Sequence, residues 1–222
     1  IAADSMTTGG ANTFIGYQAA GDGVVTGDTN TAVGANAGLN LTSGGANTFI
    51  GSTAGKFATS TESCTFVGFQ AGLGITGTKL TGNNNTAIGN NSGLKLQGAA
   101  VGNQLLGSFA GDQITTGTYN VCLGYDVGSS VQNLTTGNKN ILIGYKTSGP
   151  STTDNAIGIG DSVTVVANDF SFGKASNIVT NDFDADAAFS RSSDERLKKN
   201  ITNQTLGLDF INDLRTVKYN WK

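Results

Sequence analysis

Hydroxyl, carboxylate and amine side chains are concentrated in one short segment near the end of the 222-residue sequence. Residues 190–200 read SRSSDERLKKN and place six ionisable side chains in nine positions, whereas residues 1–176 contain six Lys, nine acidic residues and no Arg. By spacing alone, Ser192 and Glu195 form a capping box, in which their side chains accept hydrogen bonds from backbone N–H groups at a helix start. Asp194 and Glu195 also suit the positive end of the helix dipole. The spacing by itself therefore predicts a helix start.

The remaining composition argues against most catalytic and metal-binding functions. The chain has no His, which is the commonest metal ligand and the side chain best suited to proton transfer near neutral pH. Its net charge of −3 provides no basic surface for nucleic acid. No run of 18 apolar residues is present that could span a membrane. We expect no cofactor, no metal ion, no nucleic-acid partner and no membrane insertion.

Two small groups of side chains resemble cross-linking or metal-binding patterns only in part. Cys64 and Cys122 lie 58 residues apart, which is not a metal-binding spacing, and we interpret them as small apolar core residues rather than as a disulfide. Asp182, Asp184 and Asp186 alternate as in a calcium loop. Neither the Gly nor the closing Glu of an EF-hand follows them, so we predict no metal site there.

Residues 1–176 consist of a repeated unit. Eight segments of the Asn-Thr-Phe-Ile-Gly type follow one another, and their glycines are spaced by 17 to 21 residues. These glycines are Gly16, Gly34, Gly51, Gly68, Gly89, Gly107, Gly124 and Gly144. The residue before each is Ile, Val or Leu, so each segment is interpreted as a short strand closed by a turn that requires glycine. Since so short a strand cannot bury a core alone, the units must stack as coils.

An Asn stands four residues before the glycine in seven of the eight units. In stacked coils these side chains would form a ladder, hydrogen-bonded to one another and to the turn backbone. Alternatively, Asn recurs only because it forms turns and the unit was duplicated. Both interpretations predict the same fold, and neither makes the Asn residues ligands. The connectors are rich in Gly, Thr and Ser, and they could hydrogen-bond a sugar or a protein surface.

The repeats, most closely residues 155–173, resemble the head repeats of trimeric autotransporter adhesins and the Gly/Asn-rich repeats of phage fibres. The resemblance implies three chains packed side by side as parallel β-rolls. We expect a mainly β protein with a trimeric parallel β-solenoid over residues 1–176 and a linker or end of fibre over residues 177–192. From residue 193 we expect the start of a small α-containing domain, truncated at residue 222. Since no polar cap is visible at residue 1, further chain is expected before it.

Residues 193–201, SDERLKKNI, closely resemble the start of the intramolecular chaperone domain of endosialidases and other phage tail spikes and fibres, the peptidase S74 family. In that family the domain trimerises, guides folding of the fibre and then cuts itself off. The resemblance assigns Ser193 as the nucleophile, Lys198 as the base that accepts its proton, and the Ser192–Ser193 bond as the one cleaved. The Tyr-Asn-Trp-Lys ending at residues 219–222 supports the resemblance.

A helix is predicted over residues 204–214 of the same domain. Leu206, Phe210, Ile211 and Leu214 form one apolar stripe at helical spacing. We expect this stripe to face the trimer or the core of the chaperone domain.

Together these features predict a structural and receptor-binding protein: a homotrimeric tail fibre of a phage or virus, located in the virion. Its expected partners are other tail proteins and a glycan or protein of the host surface, and its expected enzymatic activity is at most self-cleavage. A glycan-degrading tail spike would need two carboxylates in a cleft, and the acidic residues of the repeats are few and scattered. The alternative is a trimeric adhesin on a bacterial cell surface, which would carry a membrane anchor in the full-length chain.

Overall fold

A computed structural model describes residues 8–130 and 132–185, and these residues form a β-solenoid. Ten strands lie side by side in one parallel sheet in chain order, so nine coils connect them, and an eleventh strand follows antiparallel to the tenth. The strands are β1 (Thr13–Ile15), β2 (Thr31–Val33), β3 (Thr48–Ile50), β4 (Thr65–Val67), β5 (Thr86–Ile88), β6 (Gln104–Leu106), β7 (Val121–Tyr125), β8 (Ile141–Tyr145), β9 (Ile157–Asp161), β10 (Asp169–Lys174) and β11 (Asn177–Asp182). The predicted mainly β, parallel solenoid is confirmed for these residues.

No helix occurs among residues 8–130 and 132–185, and accordingly none of these residues lies in a helix that could cross a bilayer. The helix predicted over residues 204–214 lies outside the described part of the chain. The predicted α-containing start of the chaperone domain is therefore not supported by the structure. Residues 177–182, expected to be a linker or the end of the fibre, form β11 and pair with β10.

The middle residue of each short strand points into the solenoid. Phe49 and Phe66, the middle residues of β3 and β4, are fully buried and stack with ring centroids 5.2 Å apart. A Cβ atom on Gly55 would lie 2.9 Å from the ring of Phe49, and one on Gly72 would lie 2.5 Å from the ring of Phe66. Gly55 and Gly72, which follow the closing glycines of their units by four residues, therefore leave the space that the phenyl rings fill.

The predicted turn glycines form a column along the sheet. Gly89 has a φ of 134°, and a Cβ atom on it would lie 2.5 Å from the carbonyl oxygen of Gly107 in the next coil. The same relation links every closing glycine from Gly16 to Gly160 with the glycine one coil further on. Only glycine permits both this backbone conformation and this close approach of successive coils.

The predicted asparagine ladder is confirmed. The Asn120 side chain donates through Nδ2 to Asn103 Oδ1 (3.1 Å) and to the Gly137 carbonyl (2.8 Å). Its Oδ1 accepts from the backbone N–H (3.1 Å) and from Nδ2 (2.9 Å) of Asn140. All three Asn side chains are completely buried. Because each amide satisfies backbone groups that no strand pairs, the ladder fixes the spacing between coils.

In each coil, the residue before the ladder Asn, or before the residue that takes its place, lies in the left-handed region. We call this place in the coil the left-handed corner. It is occupied by Ala11, Thr29, Ala46, Ser63, Asn84, Gly102, Tyr119, Lys139, Asn155 and Asn168, with φ between 54° and 69°. Only one of these residues is glycine. Corner residues of successive coils can contact one another, as in the hydrogen bond from Asn155 Nδ2 to Asn168 Oδ1 (3.1 Å).

Candidate interaction surfaces

The predicted cleavage residues lie outside the described part of the chain. The second described range ends at residue 185, so the structure gives no positions for Ser193, Lys198 or the Ser192–Ser193 bond. Asp186 of the alternating acidic segment is outside it as well. The catalytic assignment therefore remains a prediction from the resemblance.

Both cysteines are buried and unpaired, which confirms their interpretation as small core residues. Burial raises the pKa of the Cys122 thiol to about 12, and burial is also the main reason why the pKa of the Cys64 thiol is raised. Since the thiolate is the reactive form, neither side chain is suited to act as a nucleophile.

Cys64 occupies the ladder position of its coil and interrupts the ladder. Its backbone N–H still donates to Asn47 Oδ1 (3.0 Å). Its thiol lies 3.6 Å from the Gly82 carbonyl, at the place where an Asn amide donates a shorter hydrogen bond in the neighbouring coils. A thiol is a weak donor and acceptor, so this step of the ladder is weaker than the others.

No group of three or more potential metal-ligating side chains is found in residues 8–130 and 132–185. The pKa of Asp169 is raised by burial and, to a smaller extent, by the charges of Asp182 and Asp184. Asp182 Oδ1 accepts a hydrogen bond from the backbone N–H of Asp184 (2.8 Å), and Asp184 Oδ2 accepts one from Asn168 Nδ2 (2.7 Å). Two of these three carboxylates therefore have local hydrogen-bonding roles.

An apolar column runs along the outer face of the sheet. It consists of the third residue of each strand from β1 to β9 and of Phe172 in β10, all placed in register by the strand pairing. The members are Ile15, Val33, Ile50, Val67, Ile88, Leu106, Leu123, Ile143, Ile159 and Phe172. Leu106 is 37% exposed and Ile15 is 58% exposed. With about 4.8 Å between strands, nine intervals give a column about 43 Å long.

Aromatic side chains widen this apolar face in two coils. Tyr125 and Tyr145 follow the closing glycines of β7 and β8 and stack with centroids 5.7 Å apart. Phe109 contacts Tyr125 edge-on at 6.1 Å, and Lys146 Nζ lies 5.3 Å above the Tyr145 ring. Both tyrosines remain nearly half exposed.

Two polar clefts open at the left-handed corner. One has a volume of about 330 Å³ and is named the Tyr119 cleft; its lining residues are Thr118, Tyr119, Asn138, Lys139, Asp154 and Asn155. The other, about 370 Å³, lies five coils earlier and is named the Asp28 cleft; it is lined by Thr26, Gly27, Asp28, Thr29, Ser43, Gly45, Ala46, Glu62 and Ser63. The two clefts occupy the same place in the repeat, but only one contains an aromatic side chain.

Neither the apolar column nor the two clefts were predicted from the sequence, although the sequence contains a signal for the column. The two residues before each closing glycine are both apolar in nearly every unit. Because adjacent residues of a strand point to opposite faces, one of the two must point outward. The clefts have no comparable signal, since they depend on which connectors the stacking brings together.

A family model described as the chaperone of endosialidase, Peptidase_S74, matches residues 193–222. The match covers 30 of the 222 residues, and it supports the resemblance seen in the SDERLKKNI segment. Neither a curated protein nor a solved structure matches the chain. The chain therefore combines a β-solenoid with a segment similar to an endosialidase-type chaperone domain.

Proposed function

We propose that this chain is the receptor-binding shaft of a homotrimeric tail fibre of a phage or virus, assembled by a self-cleaving domain that begins at Ser193. The observation that carries the proposal is the match of residues 193–222 to an endosialidase chaperone in a chain whose preceding residues form a β-solenoid. That combination favours a fibre over a bacterial surface adhesin, because the segment at residues 193–222 resembles a chaperone domain of phage tail spikes and fibres.

The apolar column supports the assembly of several copies. It carries no charged side chain and repeats at the strand spacing of the sheet. A partner that covers it along its whole length must present apolar groups at the same spacing, and a second copy of the same solenoid does so. The resemblance to trimeric fibres supports three copies, with their columns facing a common axis.

A domain that trimerises first solves a problem of register. A shift of one chain by one coil would again place Leu106 against an Ile or Leu of its neighbour, so the column alone specifies register weakly. A C-terminal domain that associates before the solenoids pack would align all coils at once. Its later removal makes the assembly hard to reverse, since the template for refolding is gone.

The self-cleavage step uses a hydroxyl and an amine. Ser193 Oγ attacks the carbonyl carbon of Ser192, the C–N bond between the two residues breaks, and Lys198 accepts the hydroxyl proton and passes it to the leaving amine. Water then hydrolyses the resulting ester and frees the fragment that begins with Ser193. Lys198 can act only as the neutral amine, so its pKa must be lowered by burial or by neighbouring positive charge.

The experiment is the intact mass of full-length wild-type protein under denaturing conditions, beside Ser193→Ala and Ser192→Ala. The wild type and Ser192→Ala are expected as two chains separated between residues 192 and 193. Ser193→Ala is expected as one uncut chain, because it lacks the attacking hydroxyl. Ser192→Ala is the matched control, since it removes the capping-box hydroxyl and leaves the nucleophile. Equal cleavage of Ser193→Ala would remove the proposed mechanism.

A further inference from the structure

The Tyr119 ring occupies an unusual position. Tyr119 has a φ of 57°, a conformation that is rare for a bulky side chain. Its ring lies against Gly102 of the preceding coil, since a Cβ atom there would be 2.6 Å from Tyr119 Cδ1. The side chain is nevertheless 58% exposed. Every coil has this left-handed corner, but the other coils carry small or polar residues there. Tyr119 therefore places an aromatic ring against the neighbouring coil and leaves more than half of its side chain exposed for contact with a ligand.

A chain of hydrogen bonds fixes the polar wall of the same cleft. Asp154 Oδ1 accepts from the backbone N–H (2.6 Å) and from Nδ2 (3.1 Å) of Asn138. Asn138 Oδ1 in turn accepts from the backbone N–H (2.9 Å) and from the hydroxyl (2.8 Å) of Thr118. These bonds join three successive coils, so the wall of the cleft is preorganised rather than formed by mobile side chains.

Two groups in the Tyr119 cleft have bonding capacity left. Asp154 Oδ2 accepts no hydrogen bond from the residues that the structure describes, and the Lys139 ammonium forms no ion pair with them. One group is an acceptor and the other a donor, and their charges cancel. Together with the Tyr119 ring they present an apolar surface beside one hydrogen-bond acceptor and one donor.

We propose that the Tyr119 cleft binds one neutral hexopyranose residue of a host-surface polysaccharide. The C–H face of the sugar lies on the Tyr119 ring, one hydroxyl donates to Asp154, and an adjacent hydroxyl accepts from Lys139. The cleft volume of about 330 Å³ suits a single sugar ring rather than a peptide segment. A second carboxylate is absent from the lining, so the cleft binds the sugar without cleaving it. This inference rests on the proposed receptor-binding function.

The test measures binding of methyl glucoside, methyl galactoside, methyl mannoside and, as a charged probe, methyl galacturonide to the full-length protein by saturation-transfer NMR. Three variants are compared with the wild type: Tyr119→Asn, Tyr119→Phe and Thr29→Asn. Asn tolerates the left-handed region better than Tyr, so Tyr119→Asn should melt no lower than the wild type. Thr29→Asn is the matched control, because Thr29 holds the same corner in the Asp28 cleft.

At least one neutral glycoside is expected to bind the wild type, Tyr119→Phe and Thr29→Asn alike. Tyr119→Asn should weaken that binding about tenfold, since the stacking surface is lost. Equal binding by Tyr119→Asn, binding of the uronide alone, or binding of no glycoside would each overturn the site. Assembly and self-cleavage do not depend on Tyr119. A trimeric, processed protein that binds no sugar would therefore refute this inference alone, whereas an unprocessed monomer would refute the proposed function.

Discussion

Removal of one asparagine from the ladder should destabilise the solenoid strongly. In the wild type, the backbone N–H of Asn140 donates to Asn120 Oδ1, and the carbonyl of Gly137 accepts from Asn120 Nδ2. In Asn120→Ala, both of these buried backbone groups lose their partner. The backbone N–H of Asn120 keeps its bond to Asn103 Oδ1. An unsatisfied buried group costs about 1–3 kcal/mol, so the free energy of unfolding should fall by about 4 kcal/mol.

The assay is thermal unfolding followed by circular dichroism, with all proteins heated at the same rate because long solenoids can unfold irreversibly. A loss of about 4 kcal/mol corresponds to a decrease in Tm of about 12 °C for a chain of this size. Asn90→Ala is the matched control, since Asn90 is exposed and its side chain forms no hydrogen bond with the described residues. Asn120→Asp adds a test without loss of volume: it keeps the acceptor for Asn140 but turns a carboxylate oxygen toward the Gly137 carbonyl.

Asn120→Asp is expected to melt below the wild type as well, although it leaves no cavity. A Tm for Asn120→Ala within about 2 °C of that for Asn90→Ala would refute the role of the ladder, because surface substitutions change stability by about 0.5 kcal/mol at most. The alternative that Asn recurs only as a turn-forming residue would then be preferred.

Three further perturbations test the coil contacts and the outer face. Gly89→Ala should lower Tm by more than about 10 °C or prevent folding, because its Cβ would meet the backbone of the next coil. The control Gly77→Ala should leave Tm unchanged, since no atom lies within 4 Å of a Cβ at that position. Cys64→Asn should stabilise the solenoid by about 1 kcal/mol in a denaturant titration, because it supplies the missing amide of the ladder; a loss of stability would mean that the coil has no room for it. Leu106→Glu should separate the copies in sedimentation velocity, since it places a charge in the apolar column. The control Val24→Glu should leave them associated, because Val24 is exposed but lies outside the column. Unchanged association of Leu106→Glu would place the contact between copies on another face.

The repeat carried most of the information about the fold. The closing glycines, the aliphatic residue before them and the ladder Asn recur at each coil, so the strands and their parallel stacking follow from the spacing. The left-handed corner could not be predicted, because residues such as Tyr119 and Lys139 have no preference for that conformation, and the stacked neighbours impose it. The reversal into β11 was equally hidden, since its turn at Ala175 lacks the Asn-Gly signal of a tight hairpin.

The two candidate sites, the Ser193 segment and the Tyr119 cleft, also differ in how far the sequence predicts them. For the segment around Ser193, spacing alone predicts only a helix start, and the self-cleavage chemistry is a prediction from the resemblance to the endosialidase chaperone. The Tyr119 cleft brings together residues from three coils, and its free donor and acceptor become apparent only once Asn138 is seen to occupy the other oxygen of Asp154. Binding surfaces of solenoids depend on the stacking of connectors, which the repeat itself does not encode.

Native mass spectrometry of the purified full-length protein tests the proposed assembly most directly, because it reads the number of copies and the end of each chain together. The expected species contains three copies of the solenoid, each ending at Ser192, with the released C-terminal fragment detected separately. A single uncut chain carrying residues on both sides of Ser193 would contradict the proposal.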